Sequence, residues 1–207
     1  MAKLQKTLPN LLTFSRIFLV IPIIIAIYYQ TPECGFLAAG LFIVASFTDY
    51  LDGYLARAWK LETLFGAAMD PIADKALVMI ALLVINGYSG LTPWIMLPSA
   101  IIIYREVFVS GLRESLGDRA RALKVTNLAK WKTTGQMVAI TLIFAKGVIE
   151  HHAVMEDGSY RRWLMGWSDW TGNAGIVLLW VAGGLTFFTG WDYFKKALPF
   201  LREDPVD

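Results

Sequence analysis

The most constraining feature of this sequence is a set of long runs with few or no charged residues. Residues 76–104 contain no Asp, Glu, Lys or Arg, and residues 7–32 contain only Arg16. Of the 207 residues, 17% are charged and 56% are hydrophobic, whereas a soluble domain has roughly 25% charged residues. About 20 consecutive apolar residues cross the hydrocarbon core of a bilayer as a helix. The chain is therefore expected to be an all-α polytopic membrane protein.

The apolar runs and the turn residues between them predict six transmembrane helices in a single membrane domain, residues 1–207. Residues 86–93 are rich in Asn, Gly, Ser and Pro and split the longest run into a hairpin of two spans. The predicted spans are residues 7–32, 35–59, 71–86, 93–104, 133–149 and 170–191. Residues 150–169 are mixed and polar, so we expect a loop there, with a short interfacial helix around Trp163 and Trp167 as an option.

The distribution of positive charge predicts the orientation in the membrane. With these spans, all but three of the 19 Lys and Arg residues lie on one side, the exceptions being Lys146, Arg161 and Arg162. Cytoplasmic loops carry an excess of Lys and Arg, so both termini are expected in the cytoplasm. The net charge of +2 is too small to indicate nucleic acid as a partner. The single cysteine, Cys34, excludes an internal disulfide.

Four aspartates in the second and third spans form the candidate chemical site. Asp49 and Asp52 are three residues apart, and Asp70 and Asp74 are four apart, so each pair lies on one face of its helix. A predicted turn at residues 60–64 brings the two faces together. At this density either some carboxylates are protonated or cations neutralise them. Oxygen ligands without His or Cys select hard cations, and a site for two Mg²⁺ or Mn²⁺ ions is the favoured interpretation.

The residues around these carboxylates suit a ligand that carries phosphate. Small side chains leave room for a close approach, and they are Gly53, Ala56, Gly66 and Ala67. Arg57 and Lys75 offer cations for phosphate. The alternative is that the aspartates only form salt bridges at solvated helix ends. Carboxylates in membrane spans are costly and by default functional, so four of them among glycines favour the metal site.

Eight residues of these two spans have the spacing of a family motif. They are Asp49, Asp52, Gly53, Ala56, Arg57, Gly66, Asp70 and Asp74. This pattern resembles the complete signature of the CDP-alcohol phosphatidyltransferase family. The resemblance extends over about residues 8–140, through residues 9–13 with Arg16, residues 70–75, Arg105-Glu106 with Arg113-Glu114, and residues 130–134. It implies six helices around a polar cavity open to the cytoplasm, a homodimer in the bacterial inner membrane, and two divalent cations.

The resemblance also implies roles for the motif residues. Asp49, Asp52 and Asp70 would be metal ligands, and Asp74 would complete the second metal site and act as the general base. The cytidine diphosphate portion of the substrate would be bound by Asp52, Gly53, Ala56, Arg57 and Gly66. The implied reaction transfers the phosphatidyl group of CDP-diacylglycerol to an alcohol, with release of CMP.

The sequence outside the motif bears on the identity of that alcohol. Its flanks resemble those of members that use glycerol 3-phosphate, although inositol phosphate, serine and phosphatidylglycerol remain alternatives. An acceptor that carries a phosphate needs a cationic pocket, and the candidates are Arg16, Arg105, Arg113 and Lys132. The alternatives are that Arg16 reaches to the membrane surface and that the other two arginines pair with neighbouring glutamates.

Two functions of other classes are less well supported by the sequence. A divalent-cation transporter would also place acidic residues in its membrane spans. It would be expected to carry them near the middle of the membrane and to contain an internal repeat, but here the acids lie at one end and no repeat is visible. A scaffold without catalytic activity would not need four carboxylates among glycines.

Overall fold

The computed structural model describes residues 18–25, 31–59, 64–122 and 128–202, and these are almost entirely helical. We number the helices in chain order, and α1 is described over residues 18–25. The others are α2 (Pro32–Trp59), α3 (Leu64–Tyr88), α4 (Pro93–Leu116), α5 (Leu128–Val154) and α6 (Gly158–Arg202), with a 3₁₀ segment (Gly117–Ala122) after α4. The predicted all-α fold is confirmed.

Several helices are long and apolar enough to cross a membrane. Within the described residues the candidate spans are Pro71–Tyr88, Pro93–Leu116, Lys132–Val154 and Gly158–Leu201, and α2 contributes a shorter apolar stretch, Phe36–Thr48. Most of the first predicted span lies outside the described residues. Large apolar side chains such as Phe18, Trp94 and Phe188 are exposed, as expected where lipid replaces water around the protein. The chain is a polytopic membrane protein.

The turn between α3 and α4 confirms the predicted hairpin. Gly90 and Leu91 have positive φ angles of 64° and 58°, and the Leu91 N–H donates to the Asn86 carbonyl at 3.1 Å. Pro93 then begins α4, a position where the missing N–H of proline costs nothing. The two helices are thereby joined by only four residues.

The prediction of a loop at residues 150–169 was wrong. α5 continues to Val154 and α6 already begins at Gly158, so the connection is only three residues long. Gly158 adopts a φ of 68°, which glycine tolerates without strain. Residues 158–169 contain no proline, and their polarity does not prevent a helix. The helix anticipated around Trp163 and Trp167 is therefore continuous with the last span.

Two helices extend beyond their predicted ends. α3 begins at Leu64 rather than at residue 71, because transmembrane helices tolerate an internal proline such as Pro71. α4 continues to Leu116, well past residue 104. Its polar residues Arg105 and Glu106 are paired inside the protein, so their charge does not end the helix.

The core is formed jointly by the six helices that the structure describes, and α1 contributes the fully buried Ile23. Phe42 of α2, Leu82 of α3, Ile102 of α4, Ile140 of α5 and Leu179 of α6 are all fully buried. Small residues allow the helices to approach closely, as is typical of membrane bundles.

α4 and α6 run parallel. Near the start of α4 the Trp180 indole N–H donates to the Trp94 carbonyl at 2.9 Å. Eleven residues later Arg105 packs on Gly190, where a Cβ would lie 2.7 Å from its Cγ. This close packing holds a charged residue of α4 against α6.

Candidate functional site

The backbone places the motif on two consecutive helices. Five motif residues lie in the second half of α2, namely Asp49, Asp52, Gly53, Ala56 and Arg57. The other three, Gly66, Asp70 and Asp74, lie in the first half of α3. This is the helical placement that the spacing predicts. The predicted turn that joins them falls almost wholly on residues 60–63, outside the described part of the chain, as do the side chains of all eight motif residues except Asp74.

Lys75, which follows Asp74 of the motif, connects this part of α3 to α4. Asp74 is half-buried on α3, and Lys75 donates a hydrogen bond to the Ser110 hydroxyl of α4 at 2.5 Å. Ser110 in turn donates to the backbone carbonyl of Glu106 at 2.6 Å. The motif end of α3 is thus adjacent to the charged middle of α4.

Glu106 lies at the centre of a charge cluster that crosses two helices. Its carboxylate accepts a hydrogen bond from the Lys132 ammonium of α5. The same oxygen, Oε1, accepts from the Arg105 guanidinium, with Nη1 at 3.1 Å. The side chains of Lys132, Arg105 and Glu106 are only 6%, 13% and 13% exposed. We call these three residues the Glu106 cluster; they bring one anion and two cations into a mostly buried position.

Arg105 retains hydrogen-bonding capacity in this cluster. Its Nη2 is 3.4 Å from the Thr189 hydroxyl of α6, which is a weak contact. Its Nε is buried and has no hydrogen-bond partner among the residues that the structure describes. A buried polar group without a partner costs about 1–3 kcal/mol. A guanidinium with an unused donor is suited to a bound anion, because its donors match phosphate and carboxylate geometry.

Arg113 lies two turns further along α4 and contacts the same stretch of α6. Its guanidinium carbon is 5.4 Å from the centroid of the Tyr193 ring, within the range of a cation–π interaction. Tyr193 is buried, and its hydroxyl has no partner within the described ranges. Arg105 and Arg113 therefore both lie beside residues 189–193 of α6. The unsatisfied polar atoms there are Nε of Arg105 and the hydroxyl of Tyr193, the residue that Arg113 contacts.

Three of the four predicted acceptor residues thus occupy one region, since Arg105 and Lys132 meet at Glu106 and Arg113 is on the same helix as Arg105. Arg16 lies outside the described residues. Pairing of Arg105 with Glu106, the alternative weighed from sequence, is present, but Glu106 also binds Lys132. Sequence reasoning did not single out Thr189 or Tyr193, which are some 80 residues away from the arginines they contact and form no motif.

The donor set of the motif fits hard divalent cations. Four carboxylates without a histidine or thiol among them offer only oxygen ligands, which Mg²⁺ and Mn²⁺ prefer. In the part of the chain with described side chains, no other group of three His, Cys, Asp or Glu residues could hold a metal ion. The motif is thus the candidate metal centre of this chain.

Comparison with known proteins shows the family of this chain. The family model for CDP-alcohol phosphatidyltransferase matches residues 6–188, which is most of the chain. The chain belongs to this family. Similar curated proteins, each named CDP-diacylglycerol–glycerol-3-phosphate 3-phosphatidyltransferase, include one from Cereibacter sphaeroides that is 47% identical over 96% of this chain and 98% of its own.

Two further relatives carry the same name. The protein from Rickettsia bellii is 38% identical over 93% of this chain and 96% of its own length. The protein from Escherichia coli strain K12 is 36% identical over 99% of this chain and all of its own. The similarity therefore extends over nearly the full length of the chain.

Proposed function

We propose that this chain transfers the phosphatidyl group of CDP-diacylglycerol to glycerol 3-phosphate, producing phosphatidylglycerophosphate and CMP for phospholipid biosynthesis. The observation that carries the proposal is the adjacency of two sites of different chemistry. A carboxylate motif at the α2–α3 end suits a metal-bound diphosphate, and the Glu106 cluster next to it suits a second, separate phosphate. The names of relatives that match over nearly the whole chain support the same reaction.

In this proposal the motif binds the donor. Asp49, Asp52, Asp70 and Asp74 hold two divalent cations, Mg²⁺ or Mn²⁺, which when bound neutralise the diphosphate and stabilise the leaving CMP oxygen. The cytidine diphosphate portion is bound by Asp52, Gly53, Ala56, Arg57 and Gly66. The small residues allow the nucleotide to approach the helix backbone closely.

Asp74 is the proposed general base. Its carboxylate accepts the proton of the 1-hydroxyl group of glycerol 3-phosphate as that oxygen attacks the lipid-linked phosphorus. A new oxygen–phosphorus bond forms, the phosphoanhydride bond breaks, and CMP leaves with the bonding electrons. The hydrogen bond from Lys75, the next residue, to Ser110 of α4 supports this role, because Ser110 lies one turn from Glu106 and so links this part of α3 to the helix of the proposed acceptor site.

The Glu106 cluster is the proposed acceptor site, together with Arg113 and Arg16. Arg105 and Lys132 are cationic, mostly buried and already positioned by Glu106. Glu106 keeps the two cations paired until a phosphate dianion arrives, so no lone buried cation exists in the empty site. The unused Nε of Arg105 then donates to a phosphate oxygen.

We further propose that the chain forms one domain and acts as a homodimer in the bacterial inner membrane, with both termini and the site on the cytoplasmic side. This orientation follows from the excess of Lys and Arg on that side. It also places the site where water-soluble glycerol 3-phosphate and the released CMP can diffuse.

The test is CMP release by purified protein with CDP-diacylglycerol and Mg²⁺, with one acceptor added at a time. We expect rapid release with glycerol 3-phosphate and little with inositol phosphate, serine or phosphatidylglycerol. Preference for one of those three would keep the family chemistry but refute the acceptor. Absence of CMP release with every acceptor would refute the proposed reaction.

A further inference from the structure

The end of the molecule opposite the motif contains a notch between helices of unequal length. Tyr88 and Ser89, at the end of α3, line the same cavity as Lys146 and Gly147 of α5. α5 nevertheless continues for seven more residues to Val154, which is about 10 Å at 1.5 Å per residue. The α3–α4 turn therefore ends below the top of the α5–α6 hairpin, residues 143–172, and leaves a recess beside it.

This recess is an apolar cavity of about 160 Å³. Its walls come from four helices and are formed mainly by Phe36, Ile85, Ile95, Ile143, Phe144 and Val148. Engineered apolar cavities of roughly 150 Å³ stay free of water and take up a benzene-sized molecule. The cavity therefore suits a short length of hydrocarbon chain.

A row of aromatic residues on α6 indicates the depth of this cavity in the membrane. The rings of Tyr160, Trp163, Trp167 and Trp170 follow one another at 5.8–6.1 Å between centroids and are exposed. Exposed Trp and Tyr residues are enriched at the boundary between hydrocarbon and headgroups. Gly172, half a turn after this row, packs against the stem of Lys146. The row thus lies just above Lys146, and the cavity lies on the hydrocarbon side of it.

Lys146 provides a cation at the rim of the cavity. Its ammonium is 2.8 Å from the Glu150 carboxylate on the same helix, and the two side chains are 37% and 38% exposed. Such an exposed pair contributes little stability, so its ammonium exchanges readily to another anion. The flexible stem of Lys146 lets the ammonium reach the headgroup level just above it, where the available anion is a phospholipid phosphate.

We propose that this notch binds one glycerophospholipid of the leaflet opposite the motif, with part of an acyl chain in the cavity and its phosphate on Lys146. The occupant matches both halves of the site, because hydrocarbon fits the apolar walls and phosphate fits the cation above them. The site is remote from the Glu106 cluster and independent of the proposed transfer reaction.

Two pairs of variants test the site by native mass spectrometry of the detergent-solubilised full chain titrated with dioleoyl phosphatidylglycerol. Lys146→Gln removes the cation, and Lys196→Gln is its control. Lys196 lies on α6, does not line the cavity, and forms the same type of one-turn pair, with Asp192 at 2.6 Å. Gly147→Trp fills the cavity, and a Cβ there meets no atom within 4 Å. Gly40→Trp is its control, since Gly40 is equally unobstructed and does not line the cavity.

We expect the wild type to retain one more lipid than Gly147→Trp, and Lys146→Gln to need about ten-fold more lipid for half-saturation. Both controls should match the wild type. The proposal is overturned if Lys146→Gln and Gly147→Trp also bind like the wild type. It is equally overturned if inorganic phosphate alone displaces the lipid, because that result would indicate a simple anion site. A change in the number of protein chains in the particle for Gly147→Trp, instead of a change in the number of bound lipids, would also overturn it, because it would indicate an interface between copies.

Discussion

The two ends of this molecule each contain a lysine–glutamate pair, and the pairs differ in almost every respect. Lys132 and Glu106 belong to different helices and are mostly buried, and Glu106 also pairs with Arg105. Lys146 and Glu150 lie one turn apart on α5, and their side chains are 37% and 38% exposed. The first pair is an element of tertiary structure, whereas the second is local to one helix.

The difference shows that the chain buries charged groups, at a cost in free energy, at the Glu106 cluster and not at Lys146. Burying charges is expensive, and a buried ion pair often stabilises a protein no better than apolar residues would. The Glu106 cluster is therefore weak evidence for stability, and a functional reason for its presence is needed. Binding of an acceptor phosphate is such a reason. The exposed pair at the other end carries no comparable cost.

The largest effect is expected from the metal ligands at the motif end. Asp49→Asn, Asp52→Asn and Asp70→Asn should each lower turnover by at least about a hundredfold, because each removes a carboxylate that holds the cations. The protein should still insert and purify, and EDTA should abolish activity reversibly. Asp192→Asn, on the exposed surface of α6, serves as the control. Near-normal turnover in any one motif variant would exclude that residue as a required ligand.

Asp74→Asn separates the base from the ligands. We expect it to lower kcat far more than it weakens binding of CDP-diacylglycerol, because the other three aspartates still hold most of the donor site. Steady-state kinetics together with equilibrium binding of the nucleotide measure the two effects. An equal loss of both would make Asp74 chiefly a metal ligand.

Variants of the arginines test the acceptor site at the same end. A charge-assisted hydrogen bond contributes roughly 1.5–3 kcal/mol, so Arg105→Ala or Arg113→Ala should raise the KM for glycerol 3-phosphate about ten-fold or more. The KM for CDP-diacylglycerol should change much less. Lysine at either position should rescue poorly, because an ammonium lacks the planar fork of guanidinium. If both alanine variants keep a wild-type acceptor KM, the arginines are structural.

The last prediction concerns stability rather than catalysis and compares the two pairs themselves, through thermal unfolding in detergent. Glu106→Gln leaves two mostly buried cations without an anion and should lower the free energy of unfolding by about 3–5 kcal/mol. Glu150→Gln should change it by no more than about 1 kcal/mol, since that pair is exposed. The melting temperature should therefore fall clearly for the first variant only. Equal shifts would remove the distinction between the two ends.

Much of this fold could be predicted from the sequence, because apolar runs directly reflect the thickness of a bilayer. The hairpin at residues 86–93 was predicted from its turn residues, and Gly90 and Pro93 act there as expected. The error at residues 150–169 arose because polarity was taken as a sign of a loop. Polarity reflects the surroundings of a segment, whereas proline and glycine are the residues that most strongly oppose a helix. Of residues 150–169, only Gly158 has a positive φ, and it stands where α6 begins.

The candidate site was predictable only in part, for a different physical reason. The motif lies on two consecutive helices, so its local spacing in the sequence was enough to predict the helix faces that carry the aspartates. The proposed acceptor site depends on contacts between distant segments, such as Arg105 with Thr189 and Arg113 with Tyr193. No local pattern encodes these contacts. The central position of Glu106 between two helices likewise required the packed structure.

Acceptor specificity tests the central claim most directly. The measurement is the ratio of kcat/KM for glycerol 3-phosphate to that for glycerol, determined from CMP release by the wild type and by Arg105→Ala. The two acceptors present the same attacking hydroxyl and differ in the phosphate, so the ratio reports the contribution of the cationic site alone. We predict a strong preference for glycerol 3-phosphate in the wild type and a ratio at least about ten-fold smaller in the variant. A wild type that uses glycerol equally well, or a ratio that Arg105→Ala leaves unchanged, would contradict the assignment of the Glu106 cluster as the acceptor site.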